Sequence, residues 1–187
     1  GFVYGNIHIN KKIHEKDTIS IENPYSIAKY TAEKFTQYYY KKFKLNFTIF
    51  RYAAIYGPGQ ITGAMSDYIR CAKKNIPCKF WGKTKSRDYV YIDDVVNINV
   101  KSLNSESSNK IFNIGSGIET NLPNLYLKIC KVLKVKPKPI YLKEKFGEQI
   151  NYKLNSNYAL KILNWKPKIK LNEGLLKTIN SHITNKL

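Results

Sequence analysis

The chain has 187 residues, of which 43% are apolar and 13% aromatic, so it can bury the core of one domain or one and a half. No apolar run approaches the roughly eighteen residues of a membrane span, and residues 1–10 lack the features of a signal peptide. Its three cysteines show no CxxC spacing, which indicates neither a disulfide framework nor a metal site. We therefore expect a cytoplasmic protein.

The net charge of +19, from 32 basic and 13 acidic residues, predicts an anionic partner or a generally lysine-rich surface. Proteins that read nucleic-acid sequence favour arginine for its bidentate fork. Here the only arginines are Arg51, Arg70 and Arg87, and the lysines are spread along the chain. A generally lysine-rich surface is therefore favoured, and a non-catalytic basic remnant that binds a partner subunit or nucleic acid is the alternative of a different class. An anionic small-molecule substrate fits either interpretation.

Apolar periodicity and turn residues predict strands that alternate with helices, which is typical of an α/β fold. The strands are predicted at the end of 1–5 and at 46–52, 87–92, 112–115 and 140–142. The helices are predicted from Asn23-Pro24, at 64–75, from Val95 with Asp93 or Asp94 as its cap, and at 121–133, 157–163 and 172–184. In the first helix the apolar positions recur at helical spacing: Ile27, Thr31, Phe35, Tyr39 and Phe43.

A tyrosine and a lysine four residues apart share one face of a helix. The ammonium favours the phenolate and lowers the tyrosine pKa, which suits a general acid/base, and it can also hydrogen-bond the ribose of a nicotinamide cofactor. Five pairs have this spacing: Tyr25/Lys29, Tyr30/Lys34, Tyr38/Lys42, Tyr40/Lys44 and Tyr141/Lys145. Only position distinguishes the first pair, which follows Pro24 at a helix start, where open α/β sheets place ligands.

Six segments carry short motifs in a fixed order along the chain. They are residues 2–5 (FVYG), 23–34 (NPYSIAKYTAEK), 50–60 (FRYAAIYGPGQ), 87–96 (RDYVYIDDVV), 112–117 (FNIGSG) and 163–175, which contains LNWKP and EGL. In this order they resemble the NAD-dependent epimerase/dehydratase family of extended short-chain dehydrogenases, and their pattern is most similar to its nucleotide-sugar 4-epimerases. The resemblance implies the C-terminal part of a Rossmann-like fold plus its small substrate-binding α/β subdomain.

The resemblance also implies roles for individual residues. Tyr25 would be the acid/base at the sugar hydroxyl, and Lys29 would hold the nicotinamide ribose of NAD and bias Tyr25 toward its anion. The backbone at Ala53 would lie near the nicotinamide. Arg87 would clamp the substrate diphosphate, although a strand-end salt bridge to Asp88 or Asp93 is the alternative for this arginine.

Two further substrate-binding positions depart from the family pattern. Ala54 stands where many members have an asparagine at the diphosphate, and Lys145 stands where they have an arginine. A lysine offers a point charge without the planar fork, so the clamp at Lys145 is expected to be weaker. Gly1-Phe2 stands where the dehydratases have acidic residues, which favours epimerisation over the alternative, a dehydratase or reductase of the same family.

The family's G-x-x-G-x-x-G turn, which cradles the cofactor pyrophosphate at a helix N-terminus, has no match in this sequence. The family's catalytic Ser or Thr would fall before residue 1. We therefore expect a truncated chain that is inactive alone and that pairs with the missing half or with a second copy. Residues 1–57 would be the remnant of the NAD-binding domain and 58–187 mainly the substrate subdomain, with 87–104 and parts of the tail packing back on the first.

Overall fold

The computed structural model describes residues 1–5, 11–103, 105–143 and 151–184. Within these ranges the helices are α1 Pro24–Phe43, α2 Ala64–Lys73, α3 Ile92–Lys101, α4 Leu122–Leu133, α5 Asn157–Leu163 and α6 Leu171–Thr184. The strands are β1 Thr48–Tyr52, β2 Ala54–Tyr56, β3 Cys78–Trp81, β4 Ser86–Tyr91, β5 Lys110–Ile114, β6 Glu119–Asn121 and β7 Pro139–Leu142. In the ranges described, no helix is both long and apolar enough to cross a bilayer.

The strands form small, mostly parallel sheets. β1 pairs in parallel with β5, and β3 pairs in parallel with β7. β2 pairs in parallel with β4, which also carries β6 as an antiparallel neighbour. Because parallel neighbours need a crossover between them, the helices lie between the strands in sequence, and the α/β architecture predicted from the sequence is confirmed.

Two helix starts that the sequence predicts are capped by asparagine side chains. The Asn23 side chain accepts from the backbone N–H of Ser26 at 2.9 Å, and Pro24 occupies the first turn of α1. The Asn121 side chain likewise accepts from the N–H of Asn124 at 3.1 Å at the start of α4. An asparagine at this position satisfies a backbone donor that the helix itself cannot, so both boundaries are encoded locally.

The strand end predicted at 1–5 is wrong. Phe2–Tyr4 forms a 3-10 turn, in which Tyr4 N–H donates to the Gly1 carbonyl and Gly5 N–H to the Phe2 carbonyl, each at 3.3 Å. Val3 and Tyr4 are buried. A short apolar run reports burial, and burial alone does not distinguish a strand from a helical turn.

The cap predicted at Asp93 or Asp94 is also wrong. β4 leads directly into α3, which begins at Ile92 with Tyr91 in the cap position and no side-chain cap. The buried Asp94 carboxylate accepts instead from the backbone N–H groups of Lys168 and Ile169, at 3.0 Å each. The carboxylate therefore ties the tail to α3, a long-range role that the local pattern does not reveal.

In the part of the chain that the structure describes, the buried apolar side chains form two clusters. One includes Val3, Val95, Phe112 and Trp165, and it lies around β1, β5 and α3. The other, around α2, α4 and α6, includes Ile69, Leu125 and Ile179. Gly174 lets α6 approach β2 closely, because a Cβ at this position would lie 2.3 Å from the hydroxyl of Tyr56.

α1 presents its polar side to the rest of the chain. Among its 20 residues only Ser26 and Glu33 are buried. The predicted apolar positions Ile27, Phe35, Tyr39 and Phe43 are about half exposed, between 49% and 60%. The helix therefore buries few side chains, although Tyr30 packs against the cluster around Phe112, and these four apolar residues face outward.

Candidate active site

A cavity of about 760 Å³ opens beside the N-terminus of α1. Among the described residues, its wall contains five aromatic side chains: Phe2, Tyr25, Tyr68, Phe80 and Trp81. The described part of the wall also contains five charged residues, four of them cationic: Asp67, Arg70, Lys79, Lys85 and Arg87. Aromatic walls with an excess of positive charge suit a flat or ring-shaped ligand that carries negative charge.

Tyr25 is the second residue of α1 and lines this cavity. Its side chain is brought together with that of Lys29, whose Nζ lies 5.4 Å from the centre of the Tyr25 ring. The same contact occurs between Lys34 and Tyr30 at 4.8 Å, so the contact alone does not identify a site. Tyr25 differs from Tyr30 because it lines the cavity. Residue 25 as a whole is 58% exposed.

The helix that carries Tyr25 is fixed by a buried polar network. Arg51 on β1 donates from Nη2 to Glu33 Oε2 at 2.8 Å and from Nη1 to the Tyr4 hydroxyl at 2.8 Å. The Tyr4 hydroxyl donates in turn to Asn113 Oδ1 on β5 at 2.7 Å. Burial by itself lowers the pKa of Arg51, but its hydrogen bonds to Glu33 and Tyr4 raise it overall, so the guanidinium stays charged. The network joins α1 to both strands of one sheet.

Arg87 on β4 contacts the ring of Phe2, which also contacts the ring of Tyr25. Its Nη1 donates to the Ser86 carbonyl at 2.7 Å. Its Cζ lies 6.0 Å from the centre of the Phe2 ring and 5.7 Å from that of Tyr152. Tyr25 and Arg87, both predicted as site residues, therefore line the same cavity, and both contact Phe2.

The carboxylate of Asp88, one of the two acids considered as a partner of Arg87, is engaged elsewhere. Its Oδ1 accepts from the N–H and hydroxyl of Ser116, at 2.8 and 2.6 Å, and its Oδ2 accepts from the N–H groups of Gly117 and Leu154, at 2.9 and 3.0 Å. Burial raises the pKa of Asp88, and these hydrogen bonds oppose the rise. A Cβ at residue 115 would lie 2.5 Å from Oδ2, so Gly115 permits this approach.

The remaining predicted site residues lie apart from the cavity wall or outside the described residues. Ala53 is buried between β1 and β2, and its N–H donates to the Ile114 carbonyl at 2.7 Å. Ala54 begins β2, opposite Tyr89 of β4. Neither alanine is part of the cavity lining. Lys145 falls outside the described residues, so its role stays a prediction.

The motifs did not reveal the part of the cavity formed by α2 and β3. Lys85 lines it with only 3% of the residue exposed, and Trp81 lines it at the end of β3. The sequence gives only a weak indication of this part of the cavity. An aromatic pair, Phe80-Trp81, precedes Gly82, and lysines lie between Gly82 and the motif segment 87–96. Long-range packing, which the sequence does not display, brings these residues to Tyr25.

Parallel α/β pairing and a tyrosine–lysine pair at a helix start beside a cationic cavity define the Rossmann-like class of short-chain dehydrogenase folds. The family described as "NAD dependent epimerase/dehydratase family" matches residues 2–115. The chain belongs to this family, whose members are NAD-dependent enzymes that act as epimerases or dehydratases.

Individual relatives agree with this assignment. The chain is 32% identical over 185 residues to a protein of Methanocaldococcus jannaschii named "Putative UDP-glucose 4-epimerase", covering 96% of this chain and 59% of the relative. It is 27% identical to dTDP-D-glucose 4,6-dehydratase of Homo sapiens, covering 98% of this chain and 54% of the relative. The crystal structure of UDP-glucose 4-epimerase from Thermotoga maritima with UDP-glucose superposes with a TM-score of 0.90 at 28% identity, covering 96% and 60% of the two chains. The chain thus spans somewhat more than half of the length of these proteins.

Proposed function

We propose that this chain carries the acid/base and substrate-binding part of an NAD-dependent nucleotide-sugar 4-epimerase. The observation that supports it most directly is that Tyr25 and Arg87 line one cavity while Lys29 contacts the Tyr25 ring. The relatives named as 4-epimerases agree with this choice. The proposed domain division, residues 1–57 and 58–187, follows the sequence motifs, and a cytoplasmic location is likewise proposed from the sequence.

In the proposed reaction the protein residues bind the substrate and move one proton. The guanidinium of Arg87 holds the diphosphate through charge-assisted hydrogen bonds. The phenol oxygen of Tyr25 takes the proton from a sugar hydroxyl and returns it to the ketone oxygen, and the positive charge of Lys29 stabilises the phenolate between the two steps. NAD, when bound, supplies hydride removal from the same sugar carbon and hydride return to its other face.

The residues present fit the ribose end of NAD and not its pyrophosphate. Tyr25 and Lys29 offer a hydroxyl and an ammonium at the helix start. The sequence contains no glycine-rich turn that could hold the pyrophosphate against a helix N-terminus. We therefore assign the cofactor cradle to the remaining part of the relatives, and turnover to a complex or longer chain that contains it.

Phe2 favours a 4-epimerase over a dehydratase. A dehydration needs a group that removes a second proton from the sugar, next to the oxidised carbon, and an aromatic hydrocarbon ring has no titratable group. Phe2 stands beside Tyr25, with the ring centres 5.6 Å apart, where such an acid would be needed. The proton transfer at Tyr25 alone is sufficient for epimerisation.

The outward apolar side of α1 is the surface for the partner. It combines Ile27, Phe35, Tyr39 and Phe43, each about half exposed. β1, next to it in the chain, pairs only with β5 among the described strands. We propose that the nucleotide-binding part present in the relatives covers this side, because their length exceeds the matched region and an exposed apolar face beside an open strand edge favours association.

The partner is tested by sedimentation of the chain alone and after mixing with the unmatched segment of the Methanocaldococcus jannaschii relative. We expect a one-to-one complex that Phe35→Lys weakens. Dimers of the chain alone that the segment does not dissociate would instead identify a second copy as the occupant and contradict the proposal.

The proposed reaction is tested by replacing Tyr25 in the complex that turns over UDP-glucose. Tyr25→Phe removes the hydroxyl that moves the proton, so kcat should fall at least about a hundredfold while the affinity for UDP-glucose changes little. Tyr38→Phe is the matched control, because Tyr38 also contacts a lysine four residues on, Lys42, but lies outside the cavity. A kcat that is unchanged by Tyr25→Phe would remove Tyr25 from the mechanism.

A further inference from the structure

Phe2 connects the two residues on which the proposed function depends. Its ring meets that of Tyr25 edge-on, with an interplanar angle of 79° and 5.6 Å between the ring centres. Arg87 Cζ lies 6.0 Å from the centre of the same ring. All three residues line the cavity, and the buried Tyr152 also contacts Phe2, at 6.2 Å between ring centres. The acid/base and the cation therefore share one aromatic neighbour in the cavity wall.

A nucleotide-linked hexose would be in contact with this ring. Its C1 carries the diphosphate and its C4 carries the reacting hydroxyl, on opposite sides of the six-membered ring. If Arg87 holds the diphosphate and Tyr25 faces the C4 hydroxyl, as the proposed function states, the sugar must pass along Phe2. The ring offers apolar contact and no hydrogen bond, so the sugar edge it covers must need no polar partner.

We propose that Phe2 makes the site selective for neutral hexoses and disfavours hexuronates, whose C6 is a carboxylate. A carboxylate that loses its water against an aromatic ring is destabilised unless a protein hydrogen-bond donor replaces that water. The face of the ring also carries partial negative charge, which repels the carboxylate. Among the described residues the cation in contact with the ring is Arg87, which the diphosphate already uses and whose Nη1 is engaged with the Ser86 carbonyl. The inference rests on the proposed function, since it takes the positions of the diphosphate and C4 from it.

The other charged residues of the cavity wall do not contact the ring of Phe2. Asp67 and Arg70 pair with each other at 2.5 Å on α2. Lys79 lies on β3 and Lys85 just ahead of β4. None of these four has a contact with the Phe2 ring among the ring contacts of the described residues. The selectivity is thus assigned to one side chain, which can be exchanged without altering the cationic groups.

The test measures the affinities of the full chain for UDP, UDP-glucose and UDP-glucuronic acid by calorimetry, or by the fluorescence of Trp81 in the cavity wall. The wild-type chain should bind UDP-glucose at least about tenfold more tightly than UDP-glucuronic acid. Phe2→Ser supplies a hydroxyl and space for water, and should reduce this ratio to within about threefold while leaving the affinity for UDP unchanged. Phe35→Ser, an exposed aromatic remote from the cavity, should leave the ratio as in the wild type.

The possible failures are distinguishable. If neither UDP nor UDP-glucose binds, the proposed function fails and the inference fails with it. If UDP-glucose binds but the wild type shows equal affinity for UDP-glucuronic acid, or if Phe2→Ser leaves the ratio intact, the inference alone is overturned. If Phe2→Ser fails to fold by circular dichroism, Phe2→Thr and Phe2→Leu replace it, and a ratio that is lower in Thr than in Leu supports the inference, whereas equal ratios contradict it.

Discussion

Glu33 and Arg51 form a buried ion pair that joins the helix of Tyr25 to a β-strand. Arg51 Nε lies 3.0 and 3.3 Å from the two carboxylate oxygens of Glu33, and Nη2 lies 2.8 Å from Oε2. The two side chains are only 6% and 10% exposed. The pair is thus a buried polar contact between α1 and β1, and Glu33 is one of only two buried residues of α1.

Removing one partner of this pair should destabilise the fold strongly, since the other charge stays buried without compensation. We expect Arg51→Leu to lower the free energy of unfolding by about 3–5 kcal/mol. Arg70→Leu is the matched control, because Arg70 and Asp67 form an ion pair whose side chains are 61% and 51% exposed, and the expected loss there is about 0–1 kcal/mol. Urea denaturation measures both, and equal losses would contradict the role given to the buried pair.

The Asp88 carboxylate should be hard to replace even by its amide. In Asp88→Asn one carboxylate oxygen becomes an NH2 group, which faces backbone donors such as those of Gly117 and Leu154 and cannot accept from them. We expect a loss of about 1–3 kcal/mol for the unsatisfied donors. Asp93→Asn, an exposed acid in the first turn of α3, serves as the control in thermal and urea unfolding, and a comparable effect there would argue against this account.

His182 should make stability depend on pH near neutrality. Burial lowers its pKa in the folded chain, and the nearby charge of Lys73 lowers it further. The unfolded chain then binds more protons than the folded chain, so the contribution of the neutral imidazole is present above the unfolded pKa of about 6.5 and is lost as the pH falls through that value toward the lower folded pKa.

The measurement is thermal unfolding between about pH 7.5 and 5.5, where histidine is the main titrating side chain. His182→Asn should flatten the decline in Tm. His14→Asn is the control, because His14 has another environment, with Asn155 Nδ2 at 3.2 Å from its Nε2. A decline that is the same in the wild type and in His182→Asn would refute the prediction.

The chain by itself should not hold NAD. Without a glycine-rich turn for the pyrophosphate, the contacts of Tyr25 and Lys29 are confined to one end of the cofactor. Calorimetry at millimolar NAD should show no saturable binding, while UDP-glucose titrated into the same sample should bind. Saturable NAD binding that is abolished by Lys29→Ala would show that the cradle is present in this chain.

Local chemistry made parts of the fold predictable. Asn23 and Asn121 stand at predicted helix starts and are followed by prolines within the next two residues, and both cap their helices. The position of Tyr25 followed from the helix start, since spacing alone left five equivalent pairs. Features encoded within one turn of the chain were thus accessible from the sequence.

Other parts depend on contacts between distant residues. The carboxylate of Asp94 binds backbone groups more than seventy residues along the chain, at Lys168 and Ile169, so no local pattern reports it. The short strands β2, β3 and β6, of 3, 4 and 3 residues, were not predicted, whereas β7, which also has 4 residues, was. The contact of Phe2 with Tyr25 likewise arises from tertiary packing. From the sequence alone, residue 2 showed only that the acidic residue of the dehydratases is replaced by phenylalanine.

The small number of side chains that α1 buries has a consequence for motion. A helix of 20 residues that buries two of them can detach from the rest of the chain with little apolar surface to expose. Its amides should therefore exchange with solvent deuterium faster than those of α4, which is embedded in the second apolar cluster through Leu125, Ile129 and Cys130. Since Tyr25 and Lys29 are on α1, the same local opening would move them away from the cavity. A partner that covers the apolar side of this helix would therefore also determine the fraction of time for which the acid/base is in place.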